Sequence, residues 1–74
     1  MNIKVRLFGL FRIDRFKEDI RSIPPGTSAQ AVIDDLQLPA TMLGIILIND
    51  IHAEASDLLS DGDCLTLLPL LDGG

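Results

Sequence analysis

The stretch "PPGTSAQAVIDDLQLP", residues 24–39, contains the clearest helix pattern in the chain. The Pro-Pro-Gly at residues 24–26 ends any preceding strand, because proline and glycine interrupt regular structure. The hydroxyl of Thr27 or Ser28 then offers a helix N-cap. Thr27 together with Gln30 predicts a capping box, in which each side chain binds a backbone N–H of the other residue. A helix is therefore expected to begin at this point.

The apolar residues behind the cap recur at helical spacing. They fall at i, i+3, i+4 and i+7 and share one helix face: Ala29, Val32, Ile33 and Leu36. Pro39 disfavours helical backbone at the residue before it, so the helix is not expected to continue past Leu38. One amphipathic helix with a single buried face follows from this pattern.

The residues before the helix predict two strands. "NIKVRLF", residues 2–8, alternates apolar and polar side chains with a period of two, which is typical of a half-buried strand. A turn or short helical piece starting at Gly9 then leads into a second strand at about residues 18–23. These two strands precede the helix directly in the sequence.

The residues after the helix predict three more strands. "GIILINDIHAE", residues 44–54, indicates an apolar strand, a turn at Asn49 and Asp50, and a short return strand from Ile51. A tight turn at residues 61–63 precedes a last strand at residues 64–68, which Pro69 ends because it has no N–H to donate. The order is ββαβββ, which predicts an α+β fold.

These elements suit a β-grasp (ubiquitin-like) arrangement, with one helix crossing a mixed sheet of four to five strands. In it the first and last strands lie side by side. We predict a single domain over residues 1–74, with a flexible C-terminal tail at residues 70–74. Alternation along the last strand directs Leu65 and Leu67 to the core and Leu68 outwards.

The composition excludes several classes of function. A formal net charge of -5 repels phosphate backbones, so nucleic acid is not expected as a partner. The longest apolar run, residues 45–48, is too short to cross a membrane. Residues 1–6 already form a strand pattern and do not resemble a secretory signal. The single cysteine, Cys64, fits a reducing compartment, and a cytoplasmic location is expected.

Four segments taken in order resemble the ubiquitin-like sulfur carriers. The segments are "IKVRLFG", "PPGTSAQAVIDDLQLP", "ILIND" and "LLSDGDCLTLLPLLDGG". The family includes the MoaD-like small subunits of molybdopterin synthase and the ThiS-like carriers of thiamin synthesis. The long connection before the helix and the "LLP" before the diglycine are more similar to the MoaD-like branch.

The resemblance implies a function for the last two residues. An E1-like adenylyltransferase, MoeB-like or ThiF-like, would use ATP to adenylate the Gly74 carboxylate, which sulfur then converts to a thiocarboxylate. Gly73 would give access to it. The acceptor implied is the molybdopterin precursor, reached with a MoaE-like large subunit of molybdopterin synthase, or alternatively a thiazole synthase. The chain would be a carrier subunit with no catalytic residues, no bound cofactor and no metal.

The resemblance also implies a docking face on the sheet. Phe8 and Leu68 match the apolar patch of MoaD-like proteins. His52 stands where an apolar residue is usual, and Asp72 stands where a small neutral residue is usual before the diglycine.

Other interpretations of individual residues stay open. Cys64 is either a transfer thiol or a small packing residue. His52 has no neighbouring ligand in the sequence for a metal site, and Asp61 and Asp63 resemble only a fragment of a calcium loop. For the whole chain, a ubiquitin-like modifier joined to lysines through Gly74 and an interaction module with an inert tail are the alternatives.

Overall fold

The computed structural model describes residues 1–70 of the chain. The strands are β1 (Asn2–Leu7), β2 (Glu18–Ser22), β3 (Leu43–Ile48), β4 (Ile51–His52) and β5 (Cys64–Pro69), and the helix is α1 (Ala29–Asp35). Short 3₁₀ helices lie at Gly9–Arg12 and Ala40–Met42. The predicted order of strands and helix is confirmed, and the 3₁₀ turn before β3 is an addition to it.

The five strands form one mixed sheet in the order β2-β1-β5-β3-β4. The neighbouring strands β1 and β5 are parallel, and every other pair is antiparallel. Parallel strands require a crossover connection, and the segment containing α1 lies within that crossover. The first and last strands lie side by side, and one helix crosses the sheet. The predicted β-grasp arrangement is confirmed.

The core lies between α1 and one face of the sheet. Alternate residues of β1 and β5 point into it, together with the apolar face of α1 and one side chain from the first 3₁₀ helix. The fully buried members include Ile3, Val5, Leu7, Phe11, Ala29, Ile33, Leu65 and Leu67. At seven residues α1 is too short to persist alone in water, so this packing stabilises it. Within residues 1–70 no helix has the length and apolar character needed to cross a membrane.

The start of α1 differs from the predicted capping box. Ser28 is the N-cap, and its Oγ accepts a hydrogen bond from the Ala31 N–H at 3.1 Å. The Thr27 hydroxyl instead donates to the Pro24 carbonyl in the preceding turn, at 2.7 Å. The Gln30 amide donates forward along the helix to Asp34. The capping box was therefore wrong, because the turn before the helix uses the Thr27 hydroxyl.

The end of α1 is a Schellman motif rather than a stop imposed by Pro39. Gln37 has a positive φ of 56°, a left-handed conformation that glycine usually takes at this place. Its N–H donates to the Asp34 carbonyl at 3.0 Å, and the Leu38 N–H donates to the Ile33 carbonyl at 3.3 Å. The buried Leu38 side chain supplies the apolar contact that accompanies this motif.

Candidate functional site

The sheet face opposite α1, called here the outer face, carries side chains from all five strands. One row runs straight across it, because Arg6 pairs with Glu18 on one side and with Thr66 on the other. Leu47 continues the row as the partner of both Thr66 and His52. Thr66, in the middle of this row, is only 4% exposed.

The next row towards the end of β5 is apolar. Leu68 of β5 pairs with Ile45 of β3. Phe8 follows Leu7, the partner of Leu67, and its extended backbone keeps it on the outer face. The Phe8 N–H donates to the Leu67 carbonyl at 3.3 Å, which holds this residue beside β5. The structure therefore brings the predicted residues Phe8 and Leu68 together.

Ile45 and Leu47 are two outer-face residues that the sequence analysis missed. Their strand reads "LGIILI", in which apolar residues occupy both faces and no alternation marks the outward positions. Pairing with β5 shows which β3 side chains point outward, because Ile46 opposes the buried Leu67 and Ile45 opposes Leu68. We call Phe8, Ile45, Leu47 and Leu68 the apolar half of the outer face.

His52 lies on the outer face but at its margin. It belongs to the edge strand β4, and its cross-strand partner is Leu47. Two strands, β3 and β5, separate it from Phe8 in the sheet order. His52 therefore borders the apolar half and does not contact the pair formed by Phe8 and Leu68. Its role as a partner-docking residue stays a prediction.

Two guanidinium groups lie near the aromatic ring of Phe8. The Cζ atom of Arg12 is 5.1 Å from the centre of the Phe8 ring, and that of Arg6 is 5.6 Å from it. Both distances fall within the range of cation–π attraction. Arg12 is also fixed by its Nε, which donates to the Leu7 carbonyl at 2.8 Å. These contacts hold the aromatic ring at the edge of the apolar half.

The other half of the outer face is charged. Glu18 of β2 lies 3.6 Å from Arg6 and 3.9 Å from Lys4 of β1. All three side chains are substantially exposed, so each ion pair contributes little to stability. Ile20, which pairs with Lys4, is the apolar residue of this charged half. One face of the sheet therefore divides into an apolar half beside β5 and a charged half beside β2.

The segment that leaves β5 passes closely over two glycines. The Leu70 N–H donates to the Met42 carbonyl at 2.6 Å, so this residue is still held although it was predicted as part of the tail. A Cβ at Gly44 would lie 2.9 Å from the Leu70 nitrogen, which is too close for any side chain. Gly9, with a φ of 58°, approaches the Pro69 ring on the other side. We call Pro69 and Leu70 the tail base.

The predicted sulfur-carrying residue Gly74 and its neighbour Gly73 lie outside the described residues, as does Asp72. Their roles and the flexibility predicted for residues 71–74 stay predictions. The sequence places them directly after the tail base. The apolar half of the outer face is the surface that adjoins this base, since Leu68 immediately precedes Pro69.

The carboxylates of the predicted Asp61-Gly62-Asp63 turn are used within the fold. Asp61 accepts from the Asn2 N–H at 2.8 Å, and Asp63 accepts from the Ser60 N–H at 2.7 Å. Gly62 has a φ of 86°, which a tight turn requires here. Within residues 1–70, no three His, Cys, Asp or Glu side chains come together as a metal-binding group. Cys64 is half buried, with its sulfur 4.0 Å from the Thr66 hydroxyl.

Comparison with known proteins gives no match to a family model and no match to a curated protein. Solved structures do match. A putative molybdopterin converting factor subunit 1 from Pyrococcus furiosus is 20% identical, with a TM-score of 0.79 over 96% of this chain and 99% of that one. SAMP1 from Haloferax volcanii is 16% identical, with a TM-score of 0.77 over the whole of both chains. The chain has a β-grasp, ubiquitin-like fold.

A third similar structure is a protein–protein complex. It contains subunits 1 and 2 of the molybdopterin-converting factor from Helicobacter pylori, and its matched chain is 24% identical, with a TM-score of 0.69 over the whole of both chains. The TM-scores establish a shared β-grasp backbone, and the low identities establish no more than that.

Proposed function

We propose that this chain is a MoaD-like sulfur carrier whose Gly74 carboxylate is converted to a thiocarboxylate. The observation that carries the proposal is the position of the apolar half of the outer face beside the tail base. A partner that covers Leu68 and Ile45 is thereby placed next to the segment that leads to the diglycine. The same fold in a molybdopterin converting factor subunit 1 supports this function.

The chemistry takes place on the chain but is catalysed by its partners. An E1-like adenylyltransferase binds ATP, the Gly74 carboxylate attacks the α-phosphorus, and pyrophosphate leaves. A sulfur donor at the oxidation level of sulfide then attacks the carbonyl carbon of the acyl adenylate and expels AMP. The product is a thiocarboxylate in which one carboxylate oxygen, lost with AMP, is replaced by sulfur. The chain itself binds no cofactor in this scheme.

The residues after β5 suit transfer into a narrow channel. Gly73 and Gly74 have no Cβ, so neither presents a side chain to the walls of such a channel. Residues 71–74, which follow the held Leu70, would span at most roughly 14 Å if extended, at about 3.3 to 3.6 Å per residue. The terminal carboxylate can thus reach a reaction centre inside a partner that sits on the outer face.

The partner proposed for sulfur transfer is the large subunit of molybdopterin synthase, MoaE-like. The Helicobacter pylori structure is a complex of subunits 1 and 2, which supports such a pairing. In this chain the large subunit would cover Phe8, Ile45 and Leu68. The acceptor is then the molybdopterin precursor, and the location is the cytoplasm. Neither nucleic acid nor a membrane takes part.

Intact-mass spectrometry tests the carrier function directly. The chain is incubated with a MoeB-like or ThiF-like enzyme, ATP and a sulfur donor. We expect replacement of one oxygen by sulfur, located at Gly74 by fragmentation. A variant lacking Gly74 is the matched control and should keep its mass and its circular dichroism. An unchanged mass of the full chain with every activating enzyme tried would exclude the carrier function.

The acceptor is tested with the loaded thiocarboxylate form. Mixed with a MoaE-like subunit and the molybdopterin precursor, the chain should return to its carboxylate mass as the product gains sulfur. Mixed with a thiazole synthase and its substrates, it should stay loaded. The opposite result would assign the chain to the ThiS-like alternative.

A second candidate function is protein modification, which the similarity to SAMP1 favours. Small archaeal modifier protein 1 from Haloferax volcanii shares the fold of this chain, which supports this function. In this function a lysine amine attacks the same acyl adenylate, AMP leaves, and an isopeptide bond to Gly74 forms. High-mass conjugates of the tagged chain in cell extract, absent for the variant lacking Gly74, would support it.

A further inference from the structure

The outer edge of β2 has backbone groups that no strand of the described chain uses. Met1 and Ile23 exchange hydrogen bonds, each N–H donating to the other carbonyl at 2.8 Å, and the Leu7 N–H donates to the Lys17 carbonyl at 2.9 Å. Bonded pairs alternate along an antiparallel ladder, so Asp19 and Arg21 also face β1. The N–H and C=O groups of residues 18, 20 and 22 therefore point away from the sheet.

A side chain of β2 itself occupies one of these outward donors. The Ile20 N–H donates to the Asp19 carboxylate at 3.0 Å. This local bond satisfies the donor in the isolated chain but uses a carboxylate oxygen that lies on a strand edge. A second strand that supplied a carbonyl to Ile20 would release the Asp19 carboxylate for another donor.

The sequence of β2, Glu-Asp-Ile-Arg-Ser, is complementary to itself when reversed. In an antiparallel pair of two such strands centred on Ile20, each Asp19 stands opposite Arg21 of the second copy. Ile20 stands opposite Ile20, and Glu18 stands opposite Ser22. Opposite charges or apolar side chains are thus matched at the three central positions, which is the arrangement that stabilises cross-strand pairs.

The backbone groups that point outward from β2 also meet one another in this register. The outward-facing residues 18, 20 and 22 meet residues 22, 20 and 18 of the second copy, and each such pair exchanges two backbone bonds. The ladder would then hold about six bonds. Asp19 and Arg21 form the pairs without backbone bonds, in which side chains approach more closely. A shift of one residue would lose both the bonding phase and the charge match.

The Arg21 side chain shows an unused donor at this edge. Its Nε is buried and lies 3.2 Å from the Asp19 carboxylate of its own strand, but it makes no well-directed hydrogen bond within residues 1–70. Its Nη1 is 3.7 Å from Asp35 of α1. The Arg21 side chain as a whole is still 33% exposed, so its guanidinium can meet Asp19 of a second copy.

From these observations we infer that two copies of this chain associate through β2, forming one continuous sheet related by a twofold axis. The pairing joins the two sheets at the edge that is farthest from β3 and β4. The apolar half of the outer face and the tail base stay uncovered in both copies. The inference does not depend on the proposed carrier function.

Sedimentation velocity of the full chain tests this association. An edge of one five-residue strand is smaller than a standard interface, so the dimer should be weak and dependent on concentration. From about 10 μM to about 1 mM the average mass should rise from that of one chain towards that of two, because small interfaces associate weakly. A mass that stays at one chain over this whole range would overturn the inference.

Charge exchange across the strand pair tests the register. Asp19→Arg alone places Arg opposite Arg and should abolish the dimer, and Arg21→Asp alone places Asp opposite Asp and should do the same. The double variant D19R/R21D restores opposite charges with the original net charge, and it should dimerise again. Failure of the double variant to dimerise, with its circular dichroism unchanged, would contradict the register.

Two isoleucines on opposite edge strands supply a matched control. Ile20 on β2 is 59% exposed, and Ile51 on β4 is 70% exposed. Ile20→Lys puts like charges opposite each other in the pair and should leave the chain monomeric at every concentration. Ile51→Lys should dimerise as strongly as the natural sequence does. The reverse pattern would place the contact at β4 and overturn the inference.

Discussion

The two halves of the outer face are built on the same sheet and differ in what they offer a partner. The apolar half consists of side chains from β3 and β5, among them Ile45 and Leu68, and of Phe8, which follows β1. The charged half lies over β1 and β2, where Arg6 and Lys4 pair with Glu18. Only the apolar half adjoins the tail base. Docking is therefore expected where the outer face adjoins the tail base, and not over the whole outer face.

Two isoleucines test this difference with the largest expected effect. Ile45, 40% exposed, belongs to the apolar half, and Ile20, 59% exposed, belongs to the charged half. Ile45→Asp would bury an unpaired carboxylate under the partner and should weaken binding at least 30-fold, about 2 kcal/mol. Ile20→Asp should change it less than about twofold, as for surface positions outside an interface.

The measurement for this pair is the dissociation constant for an activating enzyme or a MoaE-like subunit, by calorimetry. Thermal unfolding of both variants provides the folding control. Equal losses for Ile45→Asp and Ile20→Asp would show that the whole outer face docks and that the division into halves has no functional meaning.

Gly44→Ala perturbs the tail base without changing either half directly. The new Cβ would lie within about 3.0 Å of the Leu70 backbone, as the geometry at Gly44 shows. Such overpacking typically costs about 1–3 kcal/mol. Urea unfolding should show this loss, and an unchanged midpoint would mean that the tail base moves away freely. Ala40→Gly exchanges the same two residue types at an exposed position in the preceding 3₁₀ turn and serves as the control.

Arg12→Ala tests whether the ring of Phe8 needs its neighbours. The variant removes the cation–π contact at 5.1 Å and the bond from Nε to the Leu7 carbonyl. We expect a loss of about 1 kcal/mol in the free energy of unfolding. Arg12→Lys keeps the charge and should recover part of the loss. Identical stability of Arg12→Ala and the natural sequence would show that the ring is held by packing alone.

His52→Ala defines the margin of the apolar half and has the smallest expected effect. Its cross-strand partner is Leu47, and its strand lies at the sheet edge. We expect a change in stability within about 0.5 kcal/mol, as at most surface positions. Binding should change less than about twofold. A loss comparable to that of Ile45→Asp would extend the docking surface as far as β4.

Much of the fold follows from local patterns in the sequence. Alternation predicts β1, the spacing of Ala29, Val32 and Ile33 predicts the buried face of α1, and the positive φ angles of Asn49 and Asp50 confirm the predicted turn. The start and end of α1 were less predictable. Ser28 and Thr27 both offer hydroxyls, and only the three-dimensional turn decides that Thr27 binds Pro24.

The candidate site was only partly predictable, for a physical reason. Leu68 lies on a strand, and Phe8 directly follows one, in which the alternation of side chains predicts the facing. Ile45 and Leu47 lie on a strand that is apolar on both faces, so their direction depends on pairing with β5. The need for Gly44 likewise arises from a contact with Leu70, which is distant in sequence.

The parallel pairing of β1 with β5 affects which molecules an activating enzyme can recognise. Lys4 and Cys64 are partners from opposite ends of the sequence, so this pairing closes the longest loop between paired strands and has the largest entropic cost. The apolar half draws on the end of β1, on β3 and on β5 together. Under the proposed function, an activating enzyme that binds this surface would select completed molecules, and unfinished or unfolded chains would not be loaded with sulfur.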